Sequence, residues 1–325
     1  MSLSVSFRLR LLQAACAVLL PGLGAAASYP LPTGPDTVIG ATQVVVARHE
    51  DTLLDIGRAH GVGYEEMVAA NPGVDVWLPG EGRQVLIPSQ YILPDAPREG
   101  IVVSLAEHRL YYYPKPRAGE APQVMTFPIS VGRMDWTTPL GLTRIVDKRA
   151  NPIWYPPESV RKEHIADGNP LPRAVPPGPD NPLGAFAMRL AIPGGAYLIH
   201  GTNKPEGVGM QVTHGCIRMF PEDIEQLFKL VAVNTPVRIV HQPYKMGWRG
   251  EDLYIEVHAP LEGQPPAQAR SLTDITRLLV SATATQDHAV PIDWARAEQA
   301  FVRASGVPEP VMLTQATSQI AGSAP

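Results

Sequence analysis

Hydrophobic positions between residues 43 and 88 change period twice. Gln43-Val44-Val45-Val46-Ala47 has the apolar, β-branched character of a strand. Glu50-Asp51-Thr52 then supplies a helix start, and Leu53, Leu54, Ile56 and Ala59 follow at helical spacing until Gly61. Residues 64–70 predict a second short helix with Met67 and Val68 as apolar contacts, stopped by Asn71-Pro72-Gly73. After the turn Leu78-Pro79-Gly80, residues 84–88 read as a closing strand, so the order is βααβ. The preceding segment, 28–42, is rich in Pro and Gly and reads as a leader.

Residues 100–242 are patterned mainly as strands. Segments 101–104 and 109–113 flank Leu105-Ala106-Glu107-His108 as a hairpin. Further strands are predicted at 124–131, 142–146, 185–190, 196–200 and 237–240. Between them, 156–182 contains eight prolines and a short helix at 158–166 ended by Gly168. Strands resume on both sides of this insertion, which favours a lid or cleft wall over a linker. Pro221-Glu222-Asp223 starts another helix, with Pro in the first turn and acids near the positive end of the dipole; Ile224, Leu227, Phe228 and Val231 form its buried face. Two helical patterns follow in the tail. One has Ser271 and Asp274 before Ile275, Leu278 and Leu279; the other has Trp294, Ala297, Phe301 and Ala304, ended by Gly306. Residues 314–325 read as disordered.

Composition narrows the functional classes. The chain has 325 residues, 45% hydrophobic and 18% charged, enough for a true core and for more than one domain. A formal net charge of −4 with no dense Lys/Arg cluster excludes a nucleic-acid footprint. Residues 1–27 read as an export signal. Arg8 and Arg10 precede an apolar run at 11–20, a Pro21-Gly22 break and Ala25-Ala26-Ala27. That run is too short to span a bilayer, so no transmembrane segment is expected in the mature chain. Gln13 and the apolar continuation beyond Cys16 argue against lipidation there. Removing 1–27 leaves 25 basic residues against 31 acidic ones, a net charge of −6, and a solitary cysteine, Cys216. In an oxidising compartment a lone thiol is a liability unless it has a task.

The chemistry concentrates in two stretches. Tyr197-Leu198-Ile199-His200-Gly201-Thr202-Asn203 ends an apolar strand at a histidine, and Thr213-His214-Gly215-Cys216-Ile217-Arg218-Met219 follows after a loop rich in Gly. A cysteine with a free pKa near 8.5 is only about 3% thiolate at pH 7. A neighbouring imidazolium that lowers this by about two units supplies roughly 2.7 kcal/mol and makes thiolate the majority form. His200 and His214 are both candidates. Gly215 leaves room for substrate, and the amides around Gly215 and Cys216 are expected donors to a developing oxyanion. Polar, Gly-rich surroundings disfavour an inert buried cysteine. A zinc site from His200, His214 and Cys216 lacks a fourth ligand, so neither metal nor cofactor is expected.

Two resemblances follow from these residues. His49-Glu50-Asp51-Thr52-Leu53, Ile56, Asn71-Pro72, Leu78-Pro79-Gly80 and Val85-Ile87-Pro88 resemble a LysM module, with Glu50 standing where that family often has Gly. The resemblance implies binding of N-acetylglucosamine-containing glycans, notably peptidoglycan, over 43–88. The His200-Gly201-Thr202-Asn203 and His214-Gly215-Cys216-Ile217-Arg218-Met219 pair resembles the YkuD-type L,D-transpeptidases of the ErfK/YbiS-like branch. Support extends to Ser104 through Leu110, Thr138-Pro139-Leu140-Gly141, Asn181-Pro182-Leu183-Gly184 and Tyr254 through His258. Thr213 stands where that family usually has Ser. The implied architecture is a mainly β, sandwich-like catalytic domain over 99–241, with the βααβ module before it and a short helical appendage at 250–313.

The implied reaction is periplasmic acyl transfer. Cys216 attacks the third residue of a peptidoglycan tetrapeptide stem, D-Ala leaves, and an amine resolves the thioester. His200 is the expected general base and acid. His214 orients or polarises the site, Gly215 and Thr213 contact substrate, and Arg218 either binds a stem carboxylate or braces the loop. The acceptor is the terminal Lys of an outer-membrane lipoprotein or a diaminopimelate amine, with water (an L,D-carboxypeptidase) or a catalytically dead wall-binding scaffold as alternatives. Carbapenem acylation of Cys216 is a further expectation of the family.

Overall fold

The computed structural model describes residues 27–133, 136, 138–194, 197–263, 271–284, 286 and 289–313. The expected export signal, Ala27 apart, and the expected disorder at 314–325 lie outside the described residues. The segment 28–42 is not a leader. Ala27–Pro30 forms β1 and Val38–Gly40 forms β2. Tyr29 meets the Tyr91 ring edge-on at 6.3 Å, and Ile39 is buried. Strands of three or four residues among Pro and Gly are too short to register as a period, and only their pairing reveals them.

The next elements are β3 (Gln43–Val46), α1 (Leu53–Ala59), α2 (Tyr64–Ala70) and β4 (Gln84–Ile87). β3 and β4 pair antiparallel around a core that includes Leu53, Met67, Val85 and Ile87. Thr52 caps α1 by accepting from the Asp55 amide at 3.0 Å. At the start of α2, the Gly63 amide donates to Glu66 Oε2 at 2.9 Å. A fifth strand, β5 (Gln90–Ile92), turns back onto β2.

The largest sheet follows. Its members in chain order are β6 (Gly100–Ser104), β7 (Arg109–Tyr113), β8 (Gln123–Pro128), then β10 (Gly141–Ala150) after the short β9 (Val131–Gly132). Beyond α3 (Glu158–Ala166) come β11 (Phe186–Leu190), β12 (Leu198–His200), β13 (Gln211–Thr213), β14 (Ile217–Arg218), α4 (Pro221–Leu230) and β15 (Pro236–Val240). The spatial order is β1-β8-β7-β6-β15-β10-β11-β12-β14, while β9 and β13 form a separate parallel pair. The span 124–131, which reads as one strand, is thus divided between two sheets.

β10 sets the shape. Residues 141–144 pair with β15, the register shifts between Ile145 and Asp147, and the remainder pairs with β11. Such a shift lets one strand serve two sheet halves. The main core lies between them, drawing Ile101, Phe127 and Val237 from one half, Met188, Ile199 and Ile217 from the other, and Ile224 and Leu227 from α4. Val102, Tyr111 and Tyr113 point the opposite way into a second core with Ile39 and Tyr91. Burial on both faces explains the unbroken apolar runs of β6 and β7.

The tail is more than a helical appendage. β16 (Tyr244–Arg249), β17 (Asp252–Val257) and, after α5 (Leu272–Thr283) and α6 (Trp294–Arg303), β18 (Glu309–Pro310) form a three-stranded sheet. The two helices pack on it around Leu253, Ile255 and Leu279. A buried ionic knot ties this unit to the β6–β7 hairpin. Lys245 Nζ lies 2.8 Å from both Glu107 Oε2 and Glu256 Oε1. Tyr111 donates to Glu107 at 2.5 Å, the Ile92 amide to Glu256 at 2.6 Å, and His258 Nε2 lies 2.6 Å from Glu256. Glu107, Glu256 and His258 have metal-ligand proximity, but the ammonium of Lys245 already supplies their cation.

One buried acid sets a pH dependence. Asp223 faces inward on α4, and its Oδ2 has no hydrogen-bond partner among the described residues. Burial, helped by the Glu222 charge, raises its pKa from 3.8 to about 7. Because the folded value exceeds the unfolded one, its stabilisation is complete below about pH 4 and is lost as pH rises through 7. Asp223→Asn is therefore expected to stabilise the fold at pH 8 by on the order of 3–4 kcal/mol and to be near neutral at pH 4. Denaturant titrations at the two pH values check this; equal shifts at both would refute the buried-acid account.

Candidate active site

Two short strands position the chemistry. β12 and β14 run parallel, with Ile199 opposite Ile217 and His200 opposite Arg218. Side chains alternate along a strand. Ile199 and Ile217 enter the main core, so Leu198, His200, Cys216 and Arg218 share the other face. The Met219 amide donates to the His200 carbonyl at 2.9 Å, and Ser130 and Arg218 exchange backbone bonds of 2.8 and 3.1 Å. The motif strand is thereby held from both sides.

The thiol and its neighbouring histidine differ from the expected thiolate–imidazolium pair. Cys216 is partly exposed. Burial pushes its thiol above the ordinary value, opposed by a hydrogen bond from the Leu198 backbone and by the Arg218 charge. His200 is buried, and burial together with Arg218 lowers its pKa to about 4. Its Nδ1 lies 2.6 Å from the Gly201 carbonyl oxygen, which can only accept. The ring at neutral pH is therefore uncharged, with the proton on Nδ1 and the lone pair on Nε2. Thiol and imidazole are both neutral in the free protein, which suits proton transfer on attack rather than a preformed ion pair.

The turn before the thiol is closely determined. Thr213 Oγ1 donates to the Cys216 carbonyl at 2.5 Å, spanning His214 and Gly215. Its hydroxyl thus organises the turn, while its added methyl sits in a buried position. Gly215 has φ +90°, and a Cβ there would lie 3.0 Å from Tyr197 Cε1, so both conformation and space call for glycine. Thr138 Oγ1 donates to the Gly215 carbonyl at 3.1 Å.

His214 faces a different set of partners. Its Nε2 lies 2.9 Å from Glu163 Oε2 and 3.1 Å from Arg133 Nη2, and Arg133 reaches Glu163 Oε1 at 2.5 Å. The Trp136 ring lies 5.5 Å from the His214 ring. Glu163 belongs to α3, so the Pro-rich insertion is fastened onto the segment that carries the thiol. Hydrogen bonds from Arg133 and His214 lower the Glu163 pKa to about 2, which keeps this fastening charged at all but strongly acid pH.

Comparisons with known proteins decide the family. A family model described as the YkuD L,D-transpeptidase catalytic domain matches residues 98–239. Over 290 residues the chain is 39% identical to "Probable L,D-transpeptidase YbiS" of Escherichia coli strain K12, covering 87% of this chain and 91% of that protein. This chain belongs to the YkuD L,D-transpeptidases. "Probable L,D-transpeptidase YcfS" of the same strain is 42% identical over 252 residues, 76% of this chain and 77% of that one. The crystal structure of L,D-transpeptidase 3 from Mycobacterium tuberculosis aligns with 69% of this chain and 98% of its own, at 18% identity and a TM-score of 0.31.

Within this L,D-transpeptidase the strand pairing brings Cys216, His200 and Arg218 to one face, and Thr213 and Gly215 shape the adjoining turn. His214 is engaged with α3 instead. Sequence reasoning missed Arg133 and Glu163, which lies 51 residues from His214 along the chain. The one available signal was a helix inside the Pro-rich insertion, which marked the segment but no particular acid. Glu163→Gln is expected to lower kcat several-fold more than it raises KM and to speed amide exchange across Glu158–Ala166. An unchanged kcat with unchanged exchange would show the fastening to be inert.

Proposed function

We propose that the protein is an exported, periplasmic L,D-transpeptidase working through a Cys216 thioester on peptidoglycan tetrapeptide stems. The Cys216 proton passes to His200 Nε2 as sulfur attacks the carbonyl of the third stem residue. The C–S bond forms, the C–N bond to terminal D-Ala breaks, and His200 returns the proton to the departing amine. An incoming amine then gives a proton to His200 and displaces the thiolate, which is reprotonated. The acceptor we favour is the terminal Lys of an outer-membrane lipoprotein, ahead of the diaminopimelate side chain. The observation that carries this reading is the β12–β14 register with a neutral His200 whose Nε2 is unprotonated.

Further residues fit the roles. Backbone amides at Gly215 and Cys216 are candidates for the oxyanion. Arg218 stands opposite His200 in the β12–β14 register, which suits its guanidinium to a stem carboxylate. The 43–88 unit serves as a LysM-like glycan binder, supported by its βααβ order. Export rests on residues 1–27, and no described helix is long and apolar enough to cross a membrane. The test is incubation of the purified protein with a tetrapeptide muropeptide, read by mass. Release of D-Ala with an acyl-enzyme adduct on the Cys216 peptide is expected, and absence of both overturns the reading.

A further inference from the structure

The 43–88 unit and the catalytic domain do not stand apart. The Tyr64 and Glu65 amides, in the first turn of α2, donate to the carbonyls of Val208 and Gly209 at 3.1 and 3.3 Å. Gly63 and Gly209 approach so closely that a Cβ on Gly209 would lie 2.6 Å from Gly63 Cα. Arg58 makes a bidentate pair with Glu222 on α4, at 2.8 and 2.9 Å. The fully buried Arg109 of β7 pairs with Glu66 of α2 at 2.7 and 2.8 Å. Val208 and Gly209 belong to the loop that joins His200 to Cys216, so the unit braces the catalytic loop directly.

Two cavities lie along that loop. One, of about 290 Å3, is walled by α1 and α2 on one side and by Pro205, Glu206, Val208 and Phe220 on the other. The second, of about 430 Å3, runs between Thr202, Asn203, Pro205 and Pro221 and the Pro177–Pro179 stretch of the insertion. They share Pro205, and the consecutive residues Phe220 and Pro221 face one each. The walls are fixed. Asn203 Nδ2 donates to Pro179 O at 3.0 Å, Lys204 N to Thr202 Oγ1 at 2.9 Å, and Ser130 Oγ to Gly207 O at 2.7 Å.

The lining selects the ligand. Among the described residues, Arg58 is the only basic one lining the first cavity, where Glu222 occupies it, and none lining the second is charged. An anionic ligand is therefore disfavoured. Trp77 stands at the first cavity 61% exposed, in a turn held by Asp75 Oδ1, which accepts from the Trp77 and Leu78 amides at 2.8 and 2.9 Å. The exposed indole offers a flat apolar face, and Asp55 and Glu206 offer acceptors for hydroxyl and amide N–H groups. That combination suits a neutral, N-acetylated sugar. Glu206 also acts electrostatically on Arg218, whose Nη1 lies 3.3 Å from where a Gly207 Cβ would sit.

We propose that the two cavities form one groove for an oligosaccharide of N-acetylated amino sugars, built jointly by the 43–88 unit and the catalytic loop, with Glu206 reading the sugar from the catalytic side. This deepens the glycan-binding part of the proposed function and rests on it. The groove would hold the glycan strand whose stem is presented to Cys216, rather than leave the unit as an independent anchor.

The test uses the full-length protein and the β-1,4-linked tetramer of N-acetylglucosamine, which carries no stem, so binding does not depend on acyl transfer. D-Ala release by the same preparation reports separately on the transpeptidase reading. Titration calorimetry should show saturable binding, weakened about tenfold or more by Trp77→Ala and several-fold by Glu206→Gln. Both positions are exposed, so neither change threatens the fold. Amide exchange should slow at 202–208 as well as at 52–55 and 76–78. No binding at millimolar tetramer overturns the proposal. Protection confined to 52–78 with full affinity in Glu206→Gln also overturns it, by showing that the unit binds alone.

Discussion

Cys216→Ala protein should release no measurable D-Ala from a tetrapeptide stem, a loss of at least about 10³-fold, with its thermal midpoint within a degree or two of the parent. The sulfur is the group that would form the acyl bond, and alanine leaves only water to attack. The side chain is partly exposed and lies off the main core, so its removal opens little cavity. His200→Gln should lose a similar factor, because His200 lies on the β12–β14 face that Cys216 adjoins, whereas His214 is bound to Glu163. The pH profile makes a sharper demand. His200 becomes protonated only near pH 4, and the thiol ionises above its ordinary value. The kcat/KM plateau should therefore extend from well below pH 6 past pH 8, bounded by loss of the His200 lone pair on the acid side. Small alkylating reagents should label Cys216 slowly at pH 7, with the rate still rising above pH 9. An acid limb at pH 6.5, or rapid alkylation at neutral pH, would falsify the neutral-pair arrangement.

Lys245→Met is expected to destabilise the protein by about 3–5 kcal/mol at pH 7.5. Methionine fills the space but removes the one cation that two buried carboxylates share. Burial by itself would raise the Glu256 pKa. The Lys245 charge and the His258 contact outweigh it and hold the value below normal. In the parent this stabilisation is present above the unfolded carboxylate pKa and is lost as pH falls through the lower folded value. In Lys245→Met the sign reverses, since carboxylates without a cation favour protonation, and mild acid should recover part of the lost stability. Adding Glu107→Gln and Glu256→Gln to Lys245→Met should recover more. Denaturant melts of the variants at pH 7.5 and pH 5 read both effects. A Lys245→Met protein as stable as the parent at pH 7.5 would mean that the ionic knot carries no net stabilisation.

Local rules served the helices well. Thr52 before Leu53, Pro221 ahead of Glu222 and Asp223, and the spacing of Ile275 and Leu279 each reflect interactions within a few residues. Short strands were harder. β14 has two residues and β2 three, below the length at which alternation can be distinguished from chance. The tail's sheet escaped notice for a related reason. Lys245 and Glu256 look like surface positions until β16 and β17 pair and turn them toward Glu107.

Much of the chemistry belonged to the residue order. The thiol of Cys216, the histidines around it, the glycine of the turn and the relationship to L,D-transpeptidases are properties of residue type and spacing, readable without coordinates. Folding alone settled which imidazole shares the thiol's face, that burial leaves both groups uncharged, that Glu163 fastens the insertion to His214, and that the βααβ unit braces the catalytic loop. Each of these depends on distance or on local dielectric between groups remote in the chain, and neither quantity exists until the chain has closed on itself.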